Sequence, residues 1–151
     1  MIDALYSARL LALAANLPHA GRLPAPDATA ERVSKLCGSR VVVDVTVRDG
    51  RVADFAQDVQ ACALGQASAG VLGEAVIGAT PDEIEAARDA LAAMLARGGP
   101  PPAGRFADLA ALAPVRDYPA RHASARLAFE AAAAATREAA ERASGKAPPN
   151  G

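Results

Sequence analysis

Two cysteines, Cys37 and Cys62, are the residues in this 151-residue chain best suited to do chemistry. A thiolate is both a nucleophile and a soft metal ligand, so two of them held together could bind a metal or carry sulfur. Their spacing suggests that they are held together. They lie equally far in sequence from the dipeptide Asp49-Gly50, and in a regular antiparallel hairpin, residues equidistant from the turn face each other. Cys62 also opens a helical stretch, where free N–H groups and the helix dipole favour thiolate over thiol. Cys37 precedes Gly38, whose backbone can approach a ligand closely. Taken singly, each reads more readily as a small buried apolar residue than as a ligand, and only the mirrored placement brings the two readings level. Two thiolates also leave a tetrahedral site two ligands short.

The element that must position them is a hairpin over about residues 40–59. Val41-Val42-Val43-Asp44-Val45-Thr46-Val47 is β-branched and partly alternating, as a strand requires. Asp49-Gly50 tolerates the positive φ angles of a tight turn, and Val52–Val59 alternates back. A short extended piece is expected near Thr29–Val33. Helices surround the hairpin. Ile2, Leu5, Tyr6, Leu10, Leu13 and Leu17 form one face of a helix over about residues 2–16. It runs into the Pro/Gly-rich loop Leu17–Asp27, where His19 reads as solvated. Cys62 to about Ile77 reads as a helix stopped by Gly78. Its small residues Ala61, Ala63, Gly65, Ala67, Ala69 and Gly70 suit tight helix–sheet packing. Thr80-Pro81-Asp82-Glu83 is a capping box opening a helix to about Arg97. Phe106–Leu112 is expected as a short helix, and Pro119 opens a long one through about Ala143. The fold class expected is α+β: a small antiparallel sheet with helices on one face and a long C-terminal helix. One domain is expected over residues 1–145, with residues 146–151 as a disordered tail.

Composition narrows the function. The formal charge of −1 supplies no basic field for nucleic acid or an anionic membrane. No apolar run approaches the roughly 20 residues that span a bilayer. Two cysteines make no disulfide framework, which favours a reducing compartment. The run Leu10–Ala15 has the look of a short secretion signal, but Asp3 and Arg9 around it favour a cytoplasmic location. No phosphate-binding glycine loop, serine triad or inward-facing carboxylate pair is visible, so the chain is not read as an enzyme.

The motifs flanking the hairpin resemble those of the U-type iron–sulfur cluster assembly scaffolds. Ser34-Lys35-Leu36-Cys37-Gly38-Ser39 and Gln60-Ala61-Cys62-Ala63-Leu64-Gly65-Gln66-Ala67-Ser68 are similar to that family's Asn-Pro-x-Cys-Gly-Asp and Gly-Cys-Ala-Ile-Ser-x-Ala-Ser. Tyr6 with Asn16–Leu23 resembles the opening helix and loop. Val115–Ala128 resembles the closing motif Pro-x-Arg-x-x-Cys-Ala-x-Leu. The likeness spans about residues 5–131 in order.

The resemblance implies assembly of a [2Fe–2S] cluster or iron binding through three cysteines and an aspartate, or zinc binding in a sulfur-acceptor branch. By position, Cys37 and Cys62 match the first two cysteines. Ser39 stands at the aspartate and Ser124 at the third cysteine. His122, two residues before Ser124, is a further candidate ligand. On a regular helix, however, the two positions differ by about 200° and cannot face one site. Arg121 matches a family arginine and would lower a nearby thiolate pKa. The resemblance further implies a cysteine desulfurase as partner, and the ligand deficit suggests a homodimer whose paired cysteines supply four thiolates. Two alternatives stay open: a persulfide carrier using Cys62, with or without zinc, and a metal-free adaptor that keeps only the docking surface.

Overall fold

A computed structural model of the chain describes residues 7–36 and 38–143. Its elements are α1 (Ala8–Ala15), β1 (Ala28–Ser34), β2 (Ser39–Arg48), β3 (Arg51–Gln60), α2 (Ala63–Ala75), α3 (Pro81–Arg97) and α4 (His122–Ala143). A run of 3₁₀ turns over Gly104–Asp117 and another over Pro119–Arg121 join α3 to α4. The fold is α+β, a three-stranded antiparallel sheet in the order β1-β2-β3 with helices over one face.

The hairpin forms where its turn chemistry requires. Asp49 and Gly50 take φ of 54° and 75°, the pair of positive angles that matches the twist of the flanking strands. The register is less regular than the spacing suggested. Near the turn Arg48 pairs with Arg51 and Val47 with Val52, but a bulge at Thr46/Val47 shifts the ladder, and Arg40 pairs with Gln60. Extended past the strand ends, this register sets position 62 opposite Gly38, one residue from the expected partner. An extra residue in one strand does this.

Val41, Val43, Val45, Val47, Val52 and Phe55 share the face turned to the helices, and all are buried. The long helix α4 crosses β1 and β2 and also packs on α2 and α3. Its Ala125, Ala128, Ala131, Ala132 and Ala135 are buried, and small side chains are what allow a helix to lie close on several neighbours. α3 keeps the expected bounds because the capping box closes at both partners, Thr80 and Glu83, and Gly98 ends it at φ 70°. In α1 the Ser7 hydroxyl accepts from the Leu10 N–H, and Leu10 and Leu13 are buried. The expected start of this helix and the expected tail at 146–151 lie outside the described residues. The stretch expected as a short helix over Phe106–Leu112 is a longer 3₁₀ run containing Pro114, which removes an α-helical hydrogen bond.

The Pro/Gly loop between α1 and β1 crosses the other face of the sheet. Gly21 N–H donates to Gln57 O and Gln57 N–H to His19 O along the β3 edge. Arg22 and Leu23 then reach Asp44 in the middle of β2. Gly78 and Ala79 bond Val52 at the other end of β3. Both ends of that edge strand are therefore covered, which protects it from pairing with another chain.

Candidate functional site

Cys62 sits between β3 and α2 as the N-cap of the helix, with extended φ/ψ of −67° and 174°. The N–H groups of Leu64 and Gly65 point toward its sulfur without closing a full capping hydrogen bond. Ser124, in the first turn of α4, is buried; its Oγ lies 3.4 Å from Cys62 Sγ and 3.0 Å from Ser39 Oγ. Ser39, the first residue of β2, is buried as well. Three elements thus bring Ser39, Cys62 and Ser124 into one continuous chain of polar contacts.

Gly65 makes the approach of α4 possible. A Cβ there would lie 2.8 Å from Ser124 Oγ, 3.2 Å from its carbonyl oxygen and 2.7 Å from Ala61 Cβ. The other helix glycines serve different neighbours: a Cβ at Gly70 would overlap the Leu13 carbonyl, and one at Gly73 would press on Gln57 and Pro18. The small residues of α2 therefore admit two helices and a loop as well as the sheet. Sequence reading grouped them as one packing stripe; only the contact partners single out Gly65.

Electrostatics at Cys62 oppose one another. Burial pushes the thiol up, and it is the largest single influence. The Ser124 hydroxyl, the N–H groups of Gly65 and Leu64, and Arg121 together outweigh it, so the thiol lies below its ordinary value. Arg121, exposed in the 3₁₀ turn before α4, is the weakest of these influences.

The remaining candidates fall elsewhere. His122 Nε2 lies 3.0 Å from both the Val115 and Arg116 carbonyl oxygens. A nitrogen between two carbonyls carries its hydrogen and donates, so the ring caps the preceding 3₁₀ run. Ser124, two residues on, faces Cys62, and the two side chains diverge as helix geometry requires. His19 is exposed, with φ 59°, and its ring meets Phe55 edge-on at 6.1 Å. Cys37 lies outside the described residues; its neighbours Leu36 and Gly38 belong to the β1–β2 turn, closed by the Ser34–Ser39 pair.

As a ligand set, the described centre offers one thiol and two neutral hydroxyls. Among the described residues, no group of three or more His, Cys, Asp or Glu could hold a metal ion. On their own, these described donors do not complete a closed zinc or iron site.

The three-stranded sheet, the helices over one face and a cysteine at a helix N-terminus beside the first turn of a long C-terminal helix define the U-type scaffold class. The profile of the family described as NifU-like N terminal domain matches residues 5–125, and the chain belongs to that family. It is similar to the N-terminal part of a nitrogen-fixing NifU-like protein from Brucella abortus, with 54% identity, TM-score 0.90, and coverage of 93% of this chain and 98% of that one. A protein from Fervidobacterium islandicum AW-1, described as an iron–sulfur cluster assembly scaffold for the SUF system, shares the fold. There the TM-score is 0.80 at 20% identity, over 89% of this chain and 98% of that one. Comparison with curated proteins gave no match. Among the described residues, no helix is long and apolar enough to cross a membrane.

Proposed function

We propose that this protein serves iron–sulfur cluster assembly as a scaffold or accessory protein, in the cytoplasm, with Cys37 and Cys62 as its working thiols. The observation that carries this reading is the convergence of Ser39, Cys62 and Ser124 at one end of the sheet. These are the positions where the resembling motifs hold an aspartate and two cysteines. The chain has two cysteines, so a [2Fe–2S] cargo with four thiolate ligands needs two copies. A homodimer sharing the cluster is accordingly part of the proposal. A cysteine desulfurase is the expected sulfur donor, and the chain acts as a carrier with no turnover of its own.

The test is purification without oxygen or a histidine tag, followed by measurement of iron, acid-labile sulfide and zinc. About one iron and one sulfide per chain, on a dimer, supports the shared cluster. A cluster-loaded monomer would sink the two-copy arrangement. Protein that stays metal-free after reconstitution with iron, desulfurase and cysteine would sink cluster binding altogether and favour the adaptor.

A second reading is favoured by the surroundings of Cys62. Hydrogen-bond donors and Arg121 bias this thiol toward thiolate, which suits a persulfide acceptor. Incubation with desulfurase and cysteine, followed by peptide mass spectrometry, should add one sulfur atom to Cys62. An unmodified Cys62 would refute it.

A further inference from the structure

We propose that Ser124 is a positioning residue for Cys62 and that Ser39 and Ser124 work as a hydrogen-bond relay on the sulfur instead of as metal ligands. The inference rests on the sulfur-acceptor reading and adds to it the residues that hold the acceptor sulfur.

The geometry assigns a direction to the relay. A thiolate only accepts hydrogen bonds, and each serine hydroxyl has one hydrogen to give. With Cys62 as the thiolate, the 3.4 Å contact to its Sγ uses the Ser124 hydrogen. The 3.0 Å contact between the two hydroxyls then uses that of Ser39, with Ser124 Oγ accepting. Both side chains are almost fully buried, at 3% and 1% exposure, so water does not readily replace either donor. Gly65 leaves the gap that lets Ser124 reach the sulfur. Two donors arranged in series strengthen one another. A hydroxyl committed in this way is a neutral donor facing the sulfur, the opposite of the anionic ligand a soft metal requires.

In the transfer step, the Cys62 thiolate attacks the terminal sulfur of a donor persulfide. A new S–S bond forms on Cys62, the donor's S–S bond breaks, and the electron pair leaves with the donor's thiolate. The proton of the transferred sulfur travels with it, and no net oxidation or reduction occurs. Ser124 fixes the attacking sulfur against α2 with its lone pairs aimed outward.

The experiment compares wild type with Ser124→Ala, Ser124→Thr and Ser39→Ala. Glutathione persulfide serves as donor, uptake at Cys62 is read by peptide-resolved mass spectrometry, and iron and zinc content are measured in parallel. Ser124→Ala is expected to slow uptake about tenfold, the size of a lost hydrogen bond to a charged group. Ser124→Thr, which keeps the hydroxyl, should restore most of the rate. Ser39→Ala should fall between, at about threefold slower. Wild-type uptake by Ser124→Ala overturns the relay while leaving the acceptor reading standing. So does loss of stoichiometric metal on replacing either serine, which would make them ligands. If wild-type Cys62 takes up no sulfur, the acceptor reading fails. The relay is then judged by iodoacetamide alkylation of Cys62 at neutral pH, where Ser124→Ala must still react more slowly than Ser124→Thr. Equal rates overturn it.

Discussion

Two acidic groups near the sheet, the Asp44 carboxyl and the Cys62 thiol, are treated in opposite ways. Asp44 points away from the helices, yet its side chain is inaccessible to solvent. Arg22 reaches both of its oxygens, at 2.6 and 3.1 Å. The Thr29 hydroxyl donates at 2.6 Å and the Leu23 N–H at 3.0 Å. Four donors leave the carboxylate little capacity for anything else. Cys62 is half-buried, at the mouth of a helix, with one hydroxyl at 3.4 Å and backbone N–H groups only inclined toward it. A saturated charge holds a loop in place, whereas a thiol biased toward thiolate and left accessible is available for chemistry. Asp44 lies within β2 and Cys62 just beyond β3, and the contrast is set by their donors together with their burial.

The contrast is broken most directly by removing Asp44. Asp44→Ala strips the loop's anchor and leaves the Leu23 N–H and Thr29 hydroxyl without their acceptor. A loss of about 3 kcal/mol is expected, a fall in melting temperature of about 8 °C for a chain of this size. Cys62→Ala, at a half-exposed position, should cost about 1 kcal/mol or less. Equal melting temperatures for the two variants would remove the distinction.

Acid sharpens the same point. Burial pushes the Asp44 carboxyl up, but hydrogen bonds from Arg22, Thr29 and the Leu23 N–H outweigh it, and its pKa falls below the ordinary carboxylate value. A depressed folded-state pKa gives stability that is present above the unfolded value of 3.8 and is lost as pH falls through the lower, folded one. The stability gap between wild type and Asp44→Asn should therefore be constant near neutrality and narrow as pH falls below about 4. A gap unchanged by acid would mean that the charge of Asp44 is not what holds the loop.

Much of the frame around these groups is legible in the sequence. Asp49-Gly50 fixes the turn, and Thr80, Pro81 and Glu83 fix the start of α3, because both signals are local steric and hydrogen-bonding requirements. The bulge at Thr46/Val47 is not legible, since valine-rich strands accept either register locally and the packing of distant elements decides. Asp44 reads as an ordinary outward-facing polar residue in an alternating strand; its clamp depends on Arg22, Leu23 and Thr29, which no short-range pattern ties to it. The site divides likewise. Cys62 at a helix start is visible from spacing. The meeting of Ser39 with Ser124 comes from the family resemblance, because 85 residues separate them. The role of Gly65 emerges only when its partner across α4 is known.

Smaller changes test the Cys62 side. Gly65→Ala puts a methyl group 2.8 Å from Ser124 Oγ, so α2 and α4 must part slightly. A cost of about 1 to 2 kcal/mol is expected from such overpacking. The shift should also slow alkylation of Cys62 at neutral pH, as it draws Ser124 away from the sulfur. The same cost with unchanged Cys62 reactivity would show that helix packing and sulfur environment are independent, and that the accessible charge is not tuned by α4.

The smallest expected effect belongs to Arg121. It is exposed, and its side-chain hydrogen bonding is the weakest of the influences lowering the Cys62 pKa. Arg121→Ala should leave the melting temperature within about 1 °C of wild type. It should raise the Cys62 pKa, so that alkylation at neutral pH slows about twofold, while at high pH, with the thiol fully ionised, the two rates converge. Added salt should shrink the wild-type advantage, because a charged hydrogen bond from an exposed guanidinium is open to water and ions. Salt should have far less effect on the Asp44 clamp, whose partners touch the carboxylate directly. If salt moves both to the same degree, the two groups differ only in exposure, and the donors around them no longer explain which one holds the fold and which one is left to react.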